Sequence, residues 1–164
     1  MNLIIRLDYL HTISFIGDER VIVRKEKGVI IEDDHRRVII DPRYKTEHAI
    51  VSHAHMDHLR THAMMSIETY EIMQVRLGTD LGIPVQYGKC IEYNGLEVSL
   101  YISGHVMGSA MIKVDGDTEV LYTGDINPRG SLLIDKPKPI SCSILVIEST
   151  YGSVLLPDLS LIHI

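Results

Sequence analysis

Short apolar runs with charged ends dominate the first part of the chain. Runs such as "ERVIVRK", "KGVIIED" and "RRVIID" are rich in β-branched residues, which predicts successive short strands over the first forty residues. The segment "DDHRR" between two of these runs is typical of a hairpin turn. "HAIVS" (48–52) predicts another short strand, and a cluster of polar residues follows it directly.

The hydrophobic period changes after residue 65. In "SIETYEIMQVRLG" the apolar residues recur at three- and four-residue steps, which predicts a helix. Ser66 is its predicted N-cap and Gly78 its predicted C-terminal end. The predicted buried face consists of Ile67, Tyr70, Met73 (or Ile72) and Leu77.

Strand patterns return from residue 83 onwards. "CIEYNGLEVSLYI" has Asn94-Gly95 between two alternating runs, which is a strong hairpin signal. "SAMIKVDGDTEVLYTGD" repeats the pattern around "DGD" (115–117), and "SILVIES" (143–149) is typical of a buried strand that ends at a glutamate. Many strands with one helix inserted among them predict an α/β sandwich with sheets inside and helices outside.

Composition narrows the class of protein. A chain of 164 residues with 45% apolar and 23% charged residues is most simply one globular domain. The net charge of −6 argues against nucleic-acid binding by a basic patch alone, although bound divalent cations would reverse the local field. Cys90 and Cys142 lack a CxxC spacing, and we find neither a signal peptide nor a membrane-spanning run. We therefore expect a cytoplasmic protein.

The segment "VSHAHMDHL" (51–59) concentrates side chains that bind metals. In an extended chain His53, His55 and Asp57 would point to one side, and His58 would follow where the chain turns. Four such groups are too many for one catalytic metal with an open position, but they suit two metals about 3.5–4 Å apart. The alternative is a polar loop in which histidines merely cluster.

Two later segments offer further ligands. His105 lies at the end of a predicted strand among small residues, in "YISGHVMGSAMIKV". Asp125 follows another predicted strand directly, in "EVLYTGDINPRG". A carboxylate can bridge two cations whereas a neutral imidazole cannot, so Asp125 is the natural bridging ligand. Taken alone, either residue would more simply be a turn or core residue.

Four motifs in a fixed order resemble a known family. "HAHMDH", "SGHVMGSA", "LYTGDIN" and "LVIESTYG" are similar to the motifs of the metallo-β-lactamase fold, and more specifically of its β-CASP branch of RNA- and DNA-processing nucleases. Within that branch they most resemble archaeal and eukaryotic mRNA 3′-end-processing endonucleases and related exonucleases. The resemblance covers roughly residues 28–152 and implies an αββα sandwich.

The resemblance implies a centre with two zinc ions. It implies that His53, His55 and His105 hold one zinc, that Asp57 and His58 hold the other, and that Asp125 bridges them. By the same resemblance, a water molecule activated by the metals attacks phosphorus, and both cations stabilise the charge that grows on the phosphate oxygens.

Three carboxylates receive roles from the resemblance. Asp41 matches a residue that orients the metal ligands from outside the coordination sphere. Asp57 and Glu148 are the catalytic carboxylates, and in the family the residue at the Glu148 position works with a proton-donating histidine from a later domain. The alternative for Glu148 is a charge at a strand end that faces water.

The family pattern continues beyond "ESTYG", whereas this sequence continues with "SVLLPDLSLIHI". We therefore expect residues 1–152 to be the N-terminal part of a metallo-β-lactamase domain and residues 153–164 to be an atypical tail. The β-CASP domain and the C-terminal return, which carries the last histidine ligand, are then absent through truncation or a frameshift. Such a half would expose an apolar sheet face, which a second copy or a partner chain would cover.

The leading functional hypothesis is a zinc-dependent phosphodiester hydrolase that processes RNA. A DNA exonuclease, or a hydrolase of thioesters or lactams with the same fold, is the first alternative, and "ESTYG" argues against the small-molecule hydrolases. A non-catalytic fragment is the second alternative. The set of ligand-type residues argues against it, because a scaffold has no physical need for them.

Overall fold

The computed structural model describes residues 3–6, 15–17, 21–55, 62–78 and 82–148. These ranges contain thirteen strands and one α-helix. The first strands are β1 (Leu3–Arg6), β2 (Phe15–Gly17), β3 (Val21–Glu26), β4 (Gly28–Asp33), β5 (Arg36–Ile40), β6 (Ala49–Ile50) and β7 (Ala63–Ser66). The helix α1 (Ile67–Leu77) follows, and then β8 (Gly82–Val85), β9 (Cys90–Tyr93), β10 (Leu96–Ile102), β11 (Ala110–Asp115), β12 (Glu119–Tyr122) and β13 (Ile144–Ile147).

The strands form two sheets. Sheet I has the order β2-β3-β4-β5-β6-β7-β8, and sheet II has the order β1-β13-β12-β11-β10-β9. In sheet I, β2 to β5 pair as antiparallel neighbours, whereas β5 to β8 pair in parallel. In sheet II, β9 to β12 are antiparallel neighbours, and β13 pairs in parallel with both β12 and β1.

The main core lies between the two sheets. Alternate residues of each strand point inwards, as the two-residue period of a strand requires. Sheet I contributes Ile40, Ile50 and Met64, none of which has measurable exposure. Sheet II contributes residues of the same kind, including Leu100 and Ile112. Burial of these side chains holds the two sheets face to face.

The helix α1 packs on the outer face of sheet I. Residues of β6 and β7 that point away from the main core form a second cluster with Met73, and its buried members are Ala49, Val51, Ala54, Ala63, Met65 and Met73. The described part of the chain is therefore a helix on a two-sheet sandwich. The predicted α/β sandwich is confirmed.

Local signals in the sequence set the limits of α1. The Ser66 hydroxyl accepts a hydrogen bond from the Thr69 amide at 3.1 Å, and Gly78 ends the helix with φ of 65°. Both predicted ends are confirmed. The predicted buried face is wrong at Ile67 and Leu77, which are each 39% exposed. Met73 is buried as predicted and fills the cluster against sheet I, whereas Thr69, which was not predicted, is buried because its hydroxyl bonds to a neighbouring loop.

One strand has no sequence signal. The strand β7 has the sequence "AMMS", which lacks the β-branched residues that mark the other strands. It forms because β6 and β8 pair with it on either side. Among the described residues, no helix is long and apolar enough to cross a membrane.

Candidate metal centre

Several strands end at the same edge of the sandwich and carry the candidate ligands there. In sheet II, β10 and β12 flank β11 in antiparallel pairs, and β12 is parallel to β13, so β10, β12 and β13 run in one direction. His105 follows β10, Asp125 follows β12, and Glu148 follows β13 directly. In sheet I, Asp41 follows β5 and His53 follows the parallel strand β6.

Four predicted ligands converge at this edge. One ligand atom each from His53, His55, His105 and Asp125 lies within 4.8 Å of the others. His53 Nε2 is 2.9 Å from His55 Nδ1 and 3.7 Å from Asp125 Oδ2. His105 Nε2 is 3.4 Å from the same carboxylate oxygen. Three imidazole nitrogens and one carboxylate oxygen are donors that a divalent metal such as zinc accepts.

The imidazole rings meet edge to face around the group. Their centroids are 4.5 Å apart for His53 and His55, and 5.1 Å and 5.2 Å from His105 to these two rings. The His53 side chain is 1% exposed, whereas the side chains of His105 and Asp125 are 28% and 43% exposed. The group is therefore closed on the His53 side and open to solvent on the other, as a catalytic metal site requires.

A chain of buried hydrogen bonds runs from Asp41 to His53 through Ser52. The Ser52 amide donates to Asp41 Oδ1 at 2.8 Å, and the Ser52 hydroxyl donates to Asp41 Oδ2 at 2.7 Å. Ser52 Oγ lies 2.8 Å from His53 Nδ1. Asp41 has φ of 48°, a backbone conformation that aspartate tolerates better than most residues, and this turns its carboxylate back towards Ser52.

These hydrogen bonds from Asp41 through Ser52 fix the tautomer of His53. An ionised Asp41 only accepts hydrogen bonds, so the single hydroxyl proton of Ser52 points to it. Ser52 Oγ can then only accept from His53, which places a proton on Nδ1. The lone pair of His53 is thus on Nε2, the atom that faces His55 and Asp125.

Tyr122 completes the environment of Asp41. Its hydroxyl donates to Asp41 Oδ2 at 3.2 Å. Burial, together with the charges of Asp41, Asp125 and Glu148, raises the pKa of Tyr122 well above its ordinary value. The tyrosine therefore stays a protonated donor at neutral pH, and the negative charges of all three carboxylates disfavour its ionisation.

The loop that carries His105 is closed at its base by two serines. We call residues 103–109 the His105 loop. The Ser103 hydroxyl donates to the Asp125 carbonyl oxygen at 2.8 Å, and Ser103 Oγ lies 2.9 Å from Ser109 Oγ. The Val106 amide donates to Ser109 Oγ at 3.1 Å. Both serines are buried, so the loop is held next to the segment that carries Asp125.

The predicted site residues fall into three groups. The structure brings His53, His55, His105 and Asp125 together. Asp41 is linked to His53 by hydrogen bonds through the Ser52 hydroxyl. Glu148 is half-buried, and its amide donates to the hydroxyl of Thr123, two residues before Asp125, at 3.3 Å. Asp57 and His58 lie outside the described residues.

Sequence reasoning missed Ser52, Ser103, Ser109 and Tyr122. Ser52 carried the clearest signal, because it directly precedes the first histidine of the motif "HAHMDH". The other three also lie inside quoted motifs, Ser103 and Ser109 in "SGHVMGSA" and Tyr122 in "LYTGDIN", but the motifs alone do not show that their hydroxyls support the site.

No protein-family model matches the sequence. Curated relatives do match it. RNase aCSPSF2 of Saccharolobus solfataricus is 33% identical, over 70% of this chain and 30% of the relative. The RNase J-like protein of Methanocaldococcus jannaschii is 32% identical, over 65% of this chain and 32% of the relative. Integrator complex subunit 11 of Danio rerio is 41% identical, over 44% of this chain and 13% of the relative.

This chain is homologous to RNA-processing nucleases of the β-CASP branch of the metallo-β-lactamase fold. The resemblance noted in the sequence is thereby confirmed. Members of this β-CASP family are metal-dependent nucleases and hydrolases. The chain spans about a third of the length of the two archaeal relatives and less of the eukaryotic one.

Solved structures give a weaker likeness. A metallo-β-lactamase with a HARLDQ motif from Cronobacter sakazakii has a TM-score of 0.45 at 18% identity, over 72% of this chain and 57% of that one. The metallo-β-lactamase FEZ-1 of Legionella gormanii has a TM-score of 0.46 at 13% identity, over 70% of this chain and 64% of that one. These values are low, so the likeness to β-CASP nucleases rests on the sequence relatives.

Proposed function

We propose that this chain carries the metal centre of a zinc-dependent phosphodiester hydrolase that acts on RNA. The observation that supports this proposal is the convergence of His53, His55, His105 and Asp125 within 4.8 Å. These residues come from three separate segments of the chain, and a sandwich that needed only a stable core would have no reason to bring them together at a solvent-exposed edge.

Two zinc ions are part of the proposal. His53, His55 and His105 would hold the first, Asp57 and His58 the second, and Asp125 would bridge them. Bound there, the metals would supply a water acidified to a nucleophile and would neutralise charge that develops on the phosphate. Three imidazole nitrogens with a carboxylate are a donor set that fits zinc.

The protein's own residues prepare this chemistry. The Asp41–Ser52–His53 hydrogen bonds keep the His53 Nε2 lone pair directed at the group, so no proton has to leave before a metal binds. Asp57 and Glu148 are the proposed catalytic carboxylates. Glu148 follows β13 directly and is half-buried, and we propose that it acts near the leaving oxygen.

RNA is the proposed substrate because of the names of the relatives. They include two RNases from archaea and an endoribonuclease from Yarrowia lipolytica. A further relative from Dictyostelium discoideum is named as a subunit of a cleavage and polyadenylation specificity factor. Cleavage of DNA, of thioesters or of lactams would be a different outcome of the same test.

The test compares hydrolysis of three substrates by the purified chain with added zinc. These are a labelled single-stranded RNA, a single-stranded DNA of the same sequence, and a chromogenic thioester. We expect cleavage of RNA alone, which His53→Ala abolishes and His35→Ala leaves intact, because His35 is exposed in the β4–β5 turn. Cleavage of the thioester alone, or RNA cleavage that survives His53→Ala, would refute the proposal.

Three further parts of the proposal concern the domain organisation, the compartment and the oligomeric state. We propose that residues 1–152 form part of a metallo-β-lactamase domain; residues 153–164, which we predict to be an atypical tail, lie outside the described residues. Cys90 and Cys142 are both free thiols, which suits a reducing, cytoplasmic compartment. A second copy or partner chain over an exposed sheet face stays a prediction, which the oligomeric state in solution would test.

A further inference from the structure

The N-terminal end of α1 is bonded to the His105 loop. The carbonyl oxygen of Gly108 accepts a hydrogen bond from the Ser66 hydroxyl at 2.6 Å and another from the Thr69 hydroxyl at 2.8 Å. Ser66 and Thr69 have no measurable exposure, and Gly108 is buried as well. Two buried hydrogen bonds to one carbonyl hold this end of the helix against the loop that presents His105.

The approach of the loop to the helix is close enough to require glycine. Gly108 has φ of 84°, and a Cβ added there would lie 2.6 Å from both the amide nitrogen and the hydroxyl oxygen of Thr69. No side chain fits at such a distance without displacing the helix or the loop. The contact between α1 and the His105 loop therefore requires glycine at position 108.

The C-terminal end of α1 is bonded to the other ligand segment. Arg76 Nη1 donates to the carbonyl oxygen of Ala54 at 2.6 Å. Ala54 lies between His53 and His55, and it belongs to the same apolar cluster as Met73 of α1. The backbone that presents these two imidazoles is thus tied to the helix by one hydrogen bond and one apolar contact.

One rigid element therefore joins two segments that are far apart in the sequence. Thr69 and Arg76 are two turns apart, which corresponds to about 10 Å along a helix axis. We propose that α1 is a positioning element for the metal centre, with Thr69 and Arg76 as positioning residues that set the distance between His105 and the His53–His55 pair. This inference rests on one part of the proposed function, namely that these histidines bind metal, and does not depend on the substrate.

The physical reason is preorganisation. Ligands on separate segments bind a metal tightly only when the fold holds them near their final separation before the metal arrives. Residues that orient ligands from outside the coordination sphere typically contribute about 10–100-fold to metal affinity. Thr69 and Arg76 would act in this way through the backbone and without contact to the metal.

The test uses the full chain and three variants. Thr69→Val keeps the shape of the side chain and removes its hydrogen bond to Gly108. Arg76→Met keeps the aliphatic stem and removes the hydrogen bond to Ala54. Val75→Thr is the matched control, because it makes the reverse change on the same helix at a side chain that is 89% exposed.

Two measurements apply to each variant. Hydrogen exchange of the metal-free chain reports how firmly each segment is held. We expect exchange about fivefold faster in residues 103–109 for Thr69→Val and in residues 51–55 for Arg76→Met, as the loss of one hydrogen bond predicts. Titration with Co²⁺, followed by its visible absorption, should give an affinity about tenfold lower in both variants and unchanged in Val75→Thr.

The outcomes separate this inference from the proposed function. If the parent chain binds Co²⁺ and cleaves RNA, but both variants exchange and bind like Val75→Thr, the inference is overturned and the proposed function stands. If the variants show the expected exchange and affinities while the parent chain cleaves no RNA, the inference stands and the proposed function is overturned.

Discussion

The substitution Ser52→Ala removes the hydroxyl that links Asp41 to His53. The hydroxyl donates to Asp41 Oδ2 at 2.7 Å and lies 2.8 Å from His53 Nδ1. Without it, Asp41 keeps the Ser52 amide and Tyr122 as donors, but the Nδ1 proton of His53 loses its acceptor. The proton is then no longer held on Nδ1 and can move to Nε2, the atom that faces the other candidate ligands.

The cost follows from the two hydrogen bonds. A hydrogen bond to a charged group contributes about 1.5–3 kcal/mol, and a buried donor left without a partner costs about 1–3 kcal/mol. Since Ser52 and His53 are each 1% exposed, water cannot easily replace the hydroxyl. We expect a loss of about 2.5–6 kcal/mol in the free energy of unfolding, and a loss of about 10–100-fold in zinc affinity.

Urea unfolding followed by circular dichroism measures the first effect, and competition with a chromophoric chelator measures the second. Ser99→Ala is the matched control, because Ser99 is buried in β10 and the described part of the chain shows no hydrogen bond of its hydroxyl. The reasoning would be refuted if Ser52→Ala changed stability and zinc affinity no more than Ser99→Ala does.

Three further predictions concern the metal, its bridging ligand and the response to pH. Zinc at one hundred times its dissociation constant should raise the free energy of unfolding by about 2.7 kcal/mol in urea titrations, and overlapping curves with and without zinc would contradict the site. Asp125→Asn should weaken zinc binding about 10–100-fold in calorimetric titration. The stability of the metal-free chain should change by no more than about 0.5 kcal/mol, because the Asp125 side chain is 43% exposed. Equal zinc affinities of the parent and Asp125→Asn would contradict the role of Asp125 as a ligand. Burial raises the pKa of Tyr87 from 10.0 to about 12, so its contribution to stability is fully present below pH 10 and is lost as the pH rises towards 12. In Tyr87→Phe the free energy of unfolding, measured in urea, should therefore fall less steeply between pH 10 and 12 than in the parent chain. The same slope in both proteins would contradict the raised pKa of Tyr87.

Local chemistry made much of the fold predictable. Asn94 and Gly95 both adopt positive φ, as the turn between β9 and β10 requires, and these two residue types favour that conformation. Ser66 and Gly78 mark the ends of α1 for equally local reasons. The strand β7 and the buried face of α1 were not predictable, because contacts with distant segments decide them.

The candidate site was predictable for a different reason. Its ligands follow strands, and strands that run in the same direction bring their ends to one edge. The order of three motifs along the sequence predicted that His53, His55, His105 and Asp125 form a site, and the structure places these four side chains close together. The supporting contacts were not predictable. Tyr122 reaches Asp41 from the opposite sheet, so no sequence spacing relates the two.

The central claim is that the converging histidines bind zinc. The most direct test is the zinc content per chain, by mass spectrometry, of the purified parent, His53→Ala and His35→Ala proteins, each shown to be folded by circular dichroism. We predict about two zinc ions in the parent and in His35→Ala, as a two-metal centre requires, and a sharp fall in His53→Ala. Little zinc in the parent, or equal zinc in all three proteins, would contradict the claim.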